Sequence, residues 1–146
     1  MKDAIVKLRE KTGAGVMECK RALDEVKGDI SKAEKVIFER GLARAETKQE
    51  RSTGSGMLHG YVHNDRVGVL LDVRCETDFV VKSDAFREFV HNLALHIAGM
   101  NPKDVKELLT QPYVKDPSIN IEELLKQSIA TIGENMKIER FTRYEI

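Results

Sequence analysis

The sequence predicts an α+β fold, with a three-helix module at the N-terminus followed by a small antiparallel-sheet core packed with helices. Apolar residues recur at helical spacing through the first forty residues. From residue 67 to 75 apolar residues instead take every second position, which is the period of a strand. Helical spacing returns from residue 86 to 97, so helices and strands occupy separate parts of the chain.

The first forty residues contain three short helical stretches separated by glycines. Their apolar positions are Ala4, Ile5 and Leu8; Val16, Cys19, Leu23 and Val26; and Ile30, Ala33 and Ile37. Thr12–Gly15 separates the first two helices, because its paired glycines permit backbone angles that a helix does not use. Gly28 caps the second helix, and Gly41 is the predicted end of the third. Helices this short are stable only when packed together, so we assign residues 1–42 to one module.

The composition changes between residues 43 and 56. Charged residues between 44 and 51 precede Ser52-Thr53-Gly54-Ser55-Gly56. The charged half is compatible with an extension of the third helix, whereas the Gly/Ser half is typical of a flexible linker. We therefore predict a linker at 43–56 and an α+β core at 57–146.

A β-hairpin is predicted at the start of the core. Asn64-Asp65 is a plausible two-residue turn, because both residue types tolerate positive φ. In that register Val62 faces Val67 and Leu58 faces Leu71, and all four side chains point to one buried face.

Helices and a final strand are predicted after the hairpin. A long helix has Ser83 or Asp84 as its N-cap and is stopped by Gly99 and Pro102, and a second helical stripe lies between Ile121 and Ile129. The last ten residues, 137–146, read as a strand with Ile138, Tyr144 and Ile146 on one side.

The bulk properties exclude several classes of protein. Basic and acidic residues balance at 24 each, so no net field favours nucleic acid or a membrane surface. No apolar stretch is long enough to span a bilayer, and the N-terminus lacks the pattern of a signal peptide, so we expect a cytoplasmic protein. Cys19 and Cys75 show no disulfide or zinc spacing and are expected to be buried, reduced thiols.

No catalytic, cofactor-binding or metal-binding constellation is found. The Thr12–Gly15 segment lacks the Gly-Lys-Ser/Thr of a phosphate loop, which argues against direct nucleotide binding. The four histidines do not pair with carboxylates or thiols at metal-ligand spacing. We therefore expect a protein that is not an enzyme.

The segment Cys75–Val80, hereafter the connector, has two interpretations. Thr77 or Asp78 can cap a helix while Phe79 fills the core, as in most loops. Alternatively, Asp78 and Phe79 form a protruding probe, since aromatic side chains carry much of the energy at interfaces. Spacing alone leaves both interpretations open.

Four segments resemble the elongation factor Ts family and together span nearly the whole chain. They are residues 6–23, the pattern Tyr61-x-His63-x-x-Arg66-x-Gly68-Val69-Leu70, the connector, and Gly133-Glu134-Asn135-Met136 with Arg140-Phe141. The resemblance implies an N-terminal module of the ubiquitin-associated type, a linker and an α+β core. It also implies an exchange factor that binds elongation factor Tu and promotes GDP release.

The resemblance implies roles for particular residues. Asp78 and Phe79, flanked by Thr77 and Val80, would wedge into the nucleotide-binding domain of elongation factor Tu and disturb its magnesium and phosphate-loop site. In the module, Arg9, Val16 and Met17 would grip the same partner, and His63 belongs to a further contact segment. The alternatives are a solvated face for Arg9, helix core for Val16 and Met17, and an exposed hairpin end for His63.

Two departures from the family pattern matter. Longer relatives place the Asp-Phe and Tyr-x-His segments on two core subdomains, whereas this chain carries both on one, which predicts a homodimer joined through the core. The final strand either contributes to that seam or completes the core sheet within one chain. A helical hairpin that many members insert after the segment like Met100-Asn101-Pro102 is missing here.

Two rival functions remain at this level. One is an adapter whose module binds ubiquitin-like proteins or nascent chains without affecting nucleotide release. The other is a nucleic-acid-binding protein, disfavoured by zero net charge and few aromatic residues. Its candidate basic residues are Lys7, Arg9, Lys11, Lys20 and Arg21.

Overall fold

A computed structural model describes all 146 residues and shows the predicted α+β fold. The N-terminal helices are α1 (Lys2–Thr12), α2 (Val16–Glu25) and α3 (Ile30–Glu46). Their small core consists of Leu8, Cys19, Ala22, Leu23, Ala33 and Ile37. Gly13 ends α1 at φ 68°, and its N–H donates to the Arg9 carbonyl at 2.8 Å.

The rest of the chain forms a sheet covered by helices on one face. Its elements are β1 (Ser55–His63), β2 (Val67–Cys75), α4 (Asp78–Val81), α5 (Asp84–Met100), α6 (Val105–Thr110), β3 (Pro112–Tyr113), β4 (Asp116–Asn120), α7 (Ile121–Ile132) and β5 (Met136–Glu145). The main sheet is antiparallel in the order β1-β2-β5, and β3 pairs with β4 separately. Between α5 and β3 the chain has room for α6 alone, so the inserted helical hairpin is absent.

Aliphatic and aromatic side chains of α5 cover the inner face of the sheet. Phe86, Phe89, Val90, Leu93 and Ile97 are buried with Val69, Leu71 and Val73 of β2. Ser83 caps α5, since its hydroxyl accepts from the Phe86 N–H at 3.3 Å. No helix of the chain combines the length and apolar character needed to cross a membrane.

The predicted register of the β1–β2 hairpin is wrong by one residue. Three residues rather than two separate the strands, with Asn64 at φ 51° and Asp65 at φ 57°, so that His63 pairs with Val67. Because side chains alternate between faces, this extra residue moves the even positions of β1 to the outer face. Leu58 and Val62 are accordingly 62% and 64% exposed instead of buried.

The predicted face of the final strand is also wrong. A register shift between Asp72 and Val73 of β2 leaves one extra residue in β5, since Val73 pairs with Ile138 but Asp72 pairs with Arg140. The bulge exchanges the two faces of β5 along its length. Ile138 is therefore buried, whereas Tyr144 is 76% exposed on the outer face.

Helix α3 continues through Gly41 to Glu46, so the predicted end at this glycine is wrong and the alternative, that the charged residues after it extend the helix, is confirmed. Gly41 lies where α3 meets α7, and a Cβ built there would stand 3.5 Å from the Cβ of Ala130. Beyond it, Ala45 is buried in the main core, and Lys126 Nζ of α7 lies 3.4 Å from Glu46 Oε1. The three-helix module is thus packed against α7.

Gly41→Ala is expected to raise the free energy of unfolding by about 0.5–1 kcal/mol, because alanine costs less backbone entropy in a helix. The 3.5 Å distance to Ala130 is ordinary van der Waals contact, so the methyl group fits. Chemical denaturation measures the change. Gly13→Ala is the matched control and should destabilise, since Gly13 has φ +68° and its Cβ would meet Thr131 Cγ2 at 3.3 Å. A loss of stability in Gly41→Ala would contradict the proposed fit.

Candidate functional site

The connector folds into a single exposed helical turn. Thr77 is the N-cap of α4, and its hydroxyl accepts from the Val80 N–H at 3.4 Å. Val80 is buried, Asp78 is exposed, and Phe79 is 85% exposed. The interpretation that placed Phe79 in the core is therefore wrong, while capping by Thr77 is confirmed. An almost fully exposed phenylalanine at the tip of a one-turn helix is available to a partner.

Glu134, the second residue after α7, holds the connector. Its Oε1 accepts from the backbone N–H groups of Glu76 and Thr77 at 3.1 and 3.0 Å. Its Oε2 accepts from the Thr77 hydroxyl at 2.6 Å. The sequence places Glu134 in a segment that resembles the family but indicates no role for it. Its partner Glu76 is 58 residues away, and no local pattern links two such distant positions.

Asn135 extends this network to the segment that follows α3. Its backbone N–H donates to Glu76 Oε1 at 2.8 Å, and its Nδ2 donates to the carbonyls of Gln49 and Arg51 at 3.3 and 2.8 Å. Arg51 Nη1 in turn lies 3.6 Å from Glu76 Oε1. The Glu134-Asn135 pair therefore ties the connector and the residues before β1 to the end of α7.

Cys75 precedes the exposed turn and is fully buried, as predicted, and so is Cys19. The Cys75 thiol donates to the Thr77 carbonyl at 3.3 Å. Burial, followed by the nearby Glu134 carboxylate, raises the pKa of the Cys75 thiol above its ordinary value. Near neutral pH the group is a protonated thiol, which is a poor nucleophile.

The module presents its three candidate contact residues to solvent. Arg9 is exposed on α1, and Val16 and Met17 are 48% and 58% exposed in the first turn of α2. The helix-core interpretation of Val16 and Met17 is therefore wrong. The two residues form an apolar patch beside the glycine-containing loop that joins α1 to α2.

His63 lies at the opposite end of the hairpin from the connector. His63 pairs with Val67 beside the turn, whereas Cys75 pairs with Ser55 at the other end. Nine residues of strand span about 26 Å at about 3.3 Å per residue, so one chain does not bring His63 and Phe79 together.

Aromatic and histidine side chains pack around the hairpin end. His63 Nδ1 is 2.8 Å from the Tyr61 hydroxyl, and His59 Nε2 is 3.1 Å from Nδ1 of His91 on α5. Burial, followed by the charge of His91, lowers the pKa of His59. These contacts fasten β1 to α5 and leave His63 itself exposed.

Phe79→Ala is expected to change the free energy of unfolding by less than about 0.5 kcal/mol, since the side chain contributes little buried area. Phe89→Ala provides the matched control, because Phe89 is 6% exposed and its truncation costs about 3–5 kcal/mol. Chemical denaturation of both variants distinguishes a surface role from a core role. A Phe79 variant as unstable as the Phe89 variant would contradict the exposed position.

Comparison with known proteins agrees with this arrangement. The family model described as elongation factor TS matches residues 76–146, which include all of the connector after Cys75 and the strand β5. The chain is 39% identical to elongation factor Ts of Coprothermobacter proteolyticus, over 97% of this chain and 95% of that protein. It is 40% identical to elongation factor Ts of Rubrobacter xylanophilus, over 99% and 97% of the two chains.

A third relative, elongation factor Ts of Thermotoga neapolitana, is 39% identical over 99% of this chain and 95% of its own length. That alignment spans 188 residues and is longer than the 146 residues of this chain, so the relative carries residues that have no counterpart here. Because these relatives match nearly the full chain at 39–40% identity, the protein belongs to the elongation factor Ts family.

Proposed function

We propose that this protein is a guanine nucleotide exchange factor that releases GDP from elongation factor Tu in the cytoplasm. The observation that carries the proposal is the 85% exposure of Phe79 on a helical turn fixed by Glu134. Family membership supports a role in translation elongation. The protein itself needs no nucleotide, metal, nucleic acid or membrane for this role.

In the proposed mechanism Phe79 inserts between two helices of the nucleotide-binding domain of elongation factor Tu. The adjacent Asp78 carboxylate enters with it and places a negative charge near the site that holds the magnesium ion. Magnesium and loop N–H groups hold a diphosphate by charge, so a small displacement weakens several contacts together. GDP then dissociates without a chemical step in the exchange factor.

The coupling between the two ligands is reciprocal. If binding of this chain weakens the affinity for GDP by some factor, GDP weakens the affinity for this chain by the same factor. The apolar patch of Val16 and Met17, with Arg9 nearby, supplies a second contact that contributes binding energy without displacing nucleotide. An exchange factor of this kind is not an enzyme, because it makes and breaks no covalent bond.

The chain is expected to accelerate release of fluorescently labelled GDP from bacterial elongation factor Tu, measured by stopped flow. Phe79→Ala should reduce this acceleration strongly, since truncating a central interface aromatic costs on the order of 2–4 kcal/mol. Val114→Ala is the matched control, because Val114 is an exposed apolar residue away from the connector. Binding without any change in the release rate would favour the adapter function instead. Salt-sensitive binding to transfer RNA would favour a nucleic-acid-binding protein.

We also propose that two copies of the chain associate through the outer face of the main sheet. Leu58, Val62, Leu70 and Tyr144 are exposed there, and no helix of the chain covers them. An uncovered apolar sheet face on a small domain is typical of an interface. The strand β5 completes the sheet within one chain and contributes Tyr144 to this face.

The distance between His63 and Phe79 favours a second copy of the chain as the partner that covers the outer face of the main sheet. One chain holds the two segments about 26 Å apart along the hairpin. A two-fold pair presents two copies of each segment, so that His63 of one chain and Phe79 of the other can serve one partner molecule. Such an interface is self-complementary, because two-fold symmetry brings the same outer face of both copies together.

The chain is expected to have the mass of a dimer in light scattering at micromolar concentration under reducing conditions. Leu58→Glu should shift the mass to that of a monomer, because it places a charge in the proposed interface. Met100→Glu is the matched control at an exposed apolar residue of α5. A monomeric wild-type protein that retains exchange activity would refute the dimer.

A further inference from the structure

We infer that Glu134 is the positioning residue of the exchange reaction, and that α7 connects it rigidly to the three-helix module. This inference rests on the proposed exchange function and adds a role for the Gly133-Glu134-Asn135 segment. Glu134 hydrogen-bonds to Glu76 and Thr77 of the connector and not to Phe79. It acts through the backbone of the connector.

The Phe79 side chain has almost no support of its own. At 85% exposure it makes little contact with the rest of the protein, so its direction depends on the backbone of α4. A single helical turn is not stable in isolation, because the backbone entropy lost in forming it exceeds the stabilisation from its few hydrogen bonds. Contacts outside α4 must therefore hold the turn in place, and one of them is the burial of Val80 in the main core.

Glu134 fixes the residues that lead into the turn through three hydrogen bonds. Its carboxylate accepts from two successive backbone N–H groups, those of Glu76 and Thr77, at 3.1 and 3.0 Å. It also accepts the proton of the Thr77 hydroxyl at 2.6 Å. Because that hydroxyl donates to Glu134, its oxygen lone pairs are free to cap the Val80 N–H at 3.4 Å.

Helix α7, which ends just before Glu134, also packs against the three-helix module. Gly13 and Gly41 of the module approach Thr131 and Ala130 on the last turn of α7. Gly133 then ends α7 at φ 90°, with its N–H donating to the Ile129 carbonyl at 2.8 Å, and Glu134 follows directly. The module patch and the Phe79 turn are therefore both fixed to one end of α7.

This arrangement assigns Glu134 a role in the rate at which GDP is released, and not only in binding to elongation factor Tu. Binding through the module and through other surfaces does not need the Phe79 turn to be ordered. Insertion of Phe79 does need it, because a disordered turn must be ordered in the transition state. Loss of Glu134 should therefore lower the maximal release rate more than the apparent affinity.

The first test compares three variants in the GDP-release assay at increasing concentrations of the chain. Glu134→Ala should lower the maximal rate about tenfold or more, with a change of less than about threefold in the half-saturating concentration. Glu134→Gln should restore most of the rate, since its oxygen accepts from both N–H groups and its amide donates to the Thr77 oxygen. Glu139→Ala is the control, because Glu139 pairs only with Lys137 of the same strand.

A second test does not depend on exchange activity. The chain has no tryptophan, so Phe79→Trp introduces a single tryptophan at the tip of α4, which can be excited selectively over the three tyrosines. In the Glu134→Ala background its time-resolved anisotropy should decay faster, and in the Glu134→Gln background it should match the parent protein. Circular dichroism of each variant checks that the fold is intact.

The two tests separate failure of the inference from failure of the proposed function. If the wild-type chain does not release GDP, the exchange function fails, while the anisotropy still shows whether Glu134 orders the turn. If the wild-type chain is active and Glu134→Ala equals it in maximal rate, the inference is overturned. Unchanged anisotropy in Glu134→Ala would overturn it as well.

Discussion

The packing of α7 against both halves of the molecule is the constraint on which the rest of the structure depends. Ile121 and Ile129 of α7 are buried in the main core, and Ala130 in the next position meets α3 at Gly41. A side chain larger than that of alanine at Gly41 would force the two helices apart, because helix axes approach closely only where side chains are small. Helix α7 therefore decides where the three-helix module lies relative to the sheet.

The end of α7 extends this control to the exposed turn. The two residues after Gly133 accept from or donate to the connector and the segment between α3 and β1. Three parts of the chain that are far apart in sequence thus meet at one point. Support from a rigid helix end allows Phe79 to stay exposed without disorder of the backbone beneath it.

The outer face of the main sheet combines apolar and charged groups. Asp72 is buried there between Arg74 and Arg140, whose side chains donate to its carboxylate at 2.6 and 3.2 Å. The hydrogen bond from Arg74 is the main reason that the pKa of Asp72 lies below its usual value. This charged group lies among Leu58, Leu70 and Thr142, so it restricts the ways in which another apolar surface can pack on this face.

The sequence by itself determined the helices of the module, the strand from Val67 to Cys75 and the family, and it limited the two caps to Thr77 or Asp78 and to Ser83 or Asp84. These features depend on local periodicity, on capping side chains and on motifs whose residues are adjacent in the chain. Exposure of Phe79 was one of two interpretations, since an aromatic residue in a loop serves a core and an interface equally well.

The tertiary structure alone decided the register of the hairpin, the faces of β5, the continuation of α3 and the role of Glu134. A third turn residue and a bulge each shift side chains by one position, and the sequence does not show how a strand pairs. Gly41 lies inside α3 where that helix meets Ala130 of α7, and Glu134 matters because it hydrogen-bonds to Thr77, 57 residues away in the sequence. Contacts between distant residues have no local signal, so the placement of Phe79 became visible only when the chain was folded.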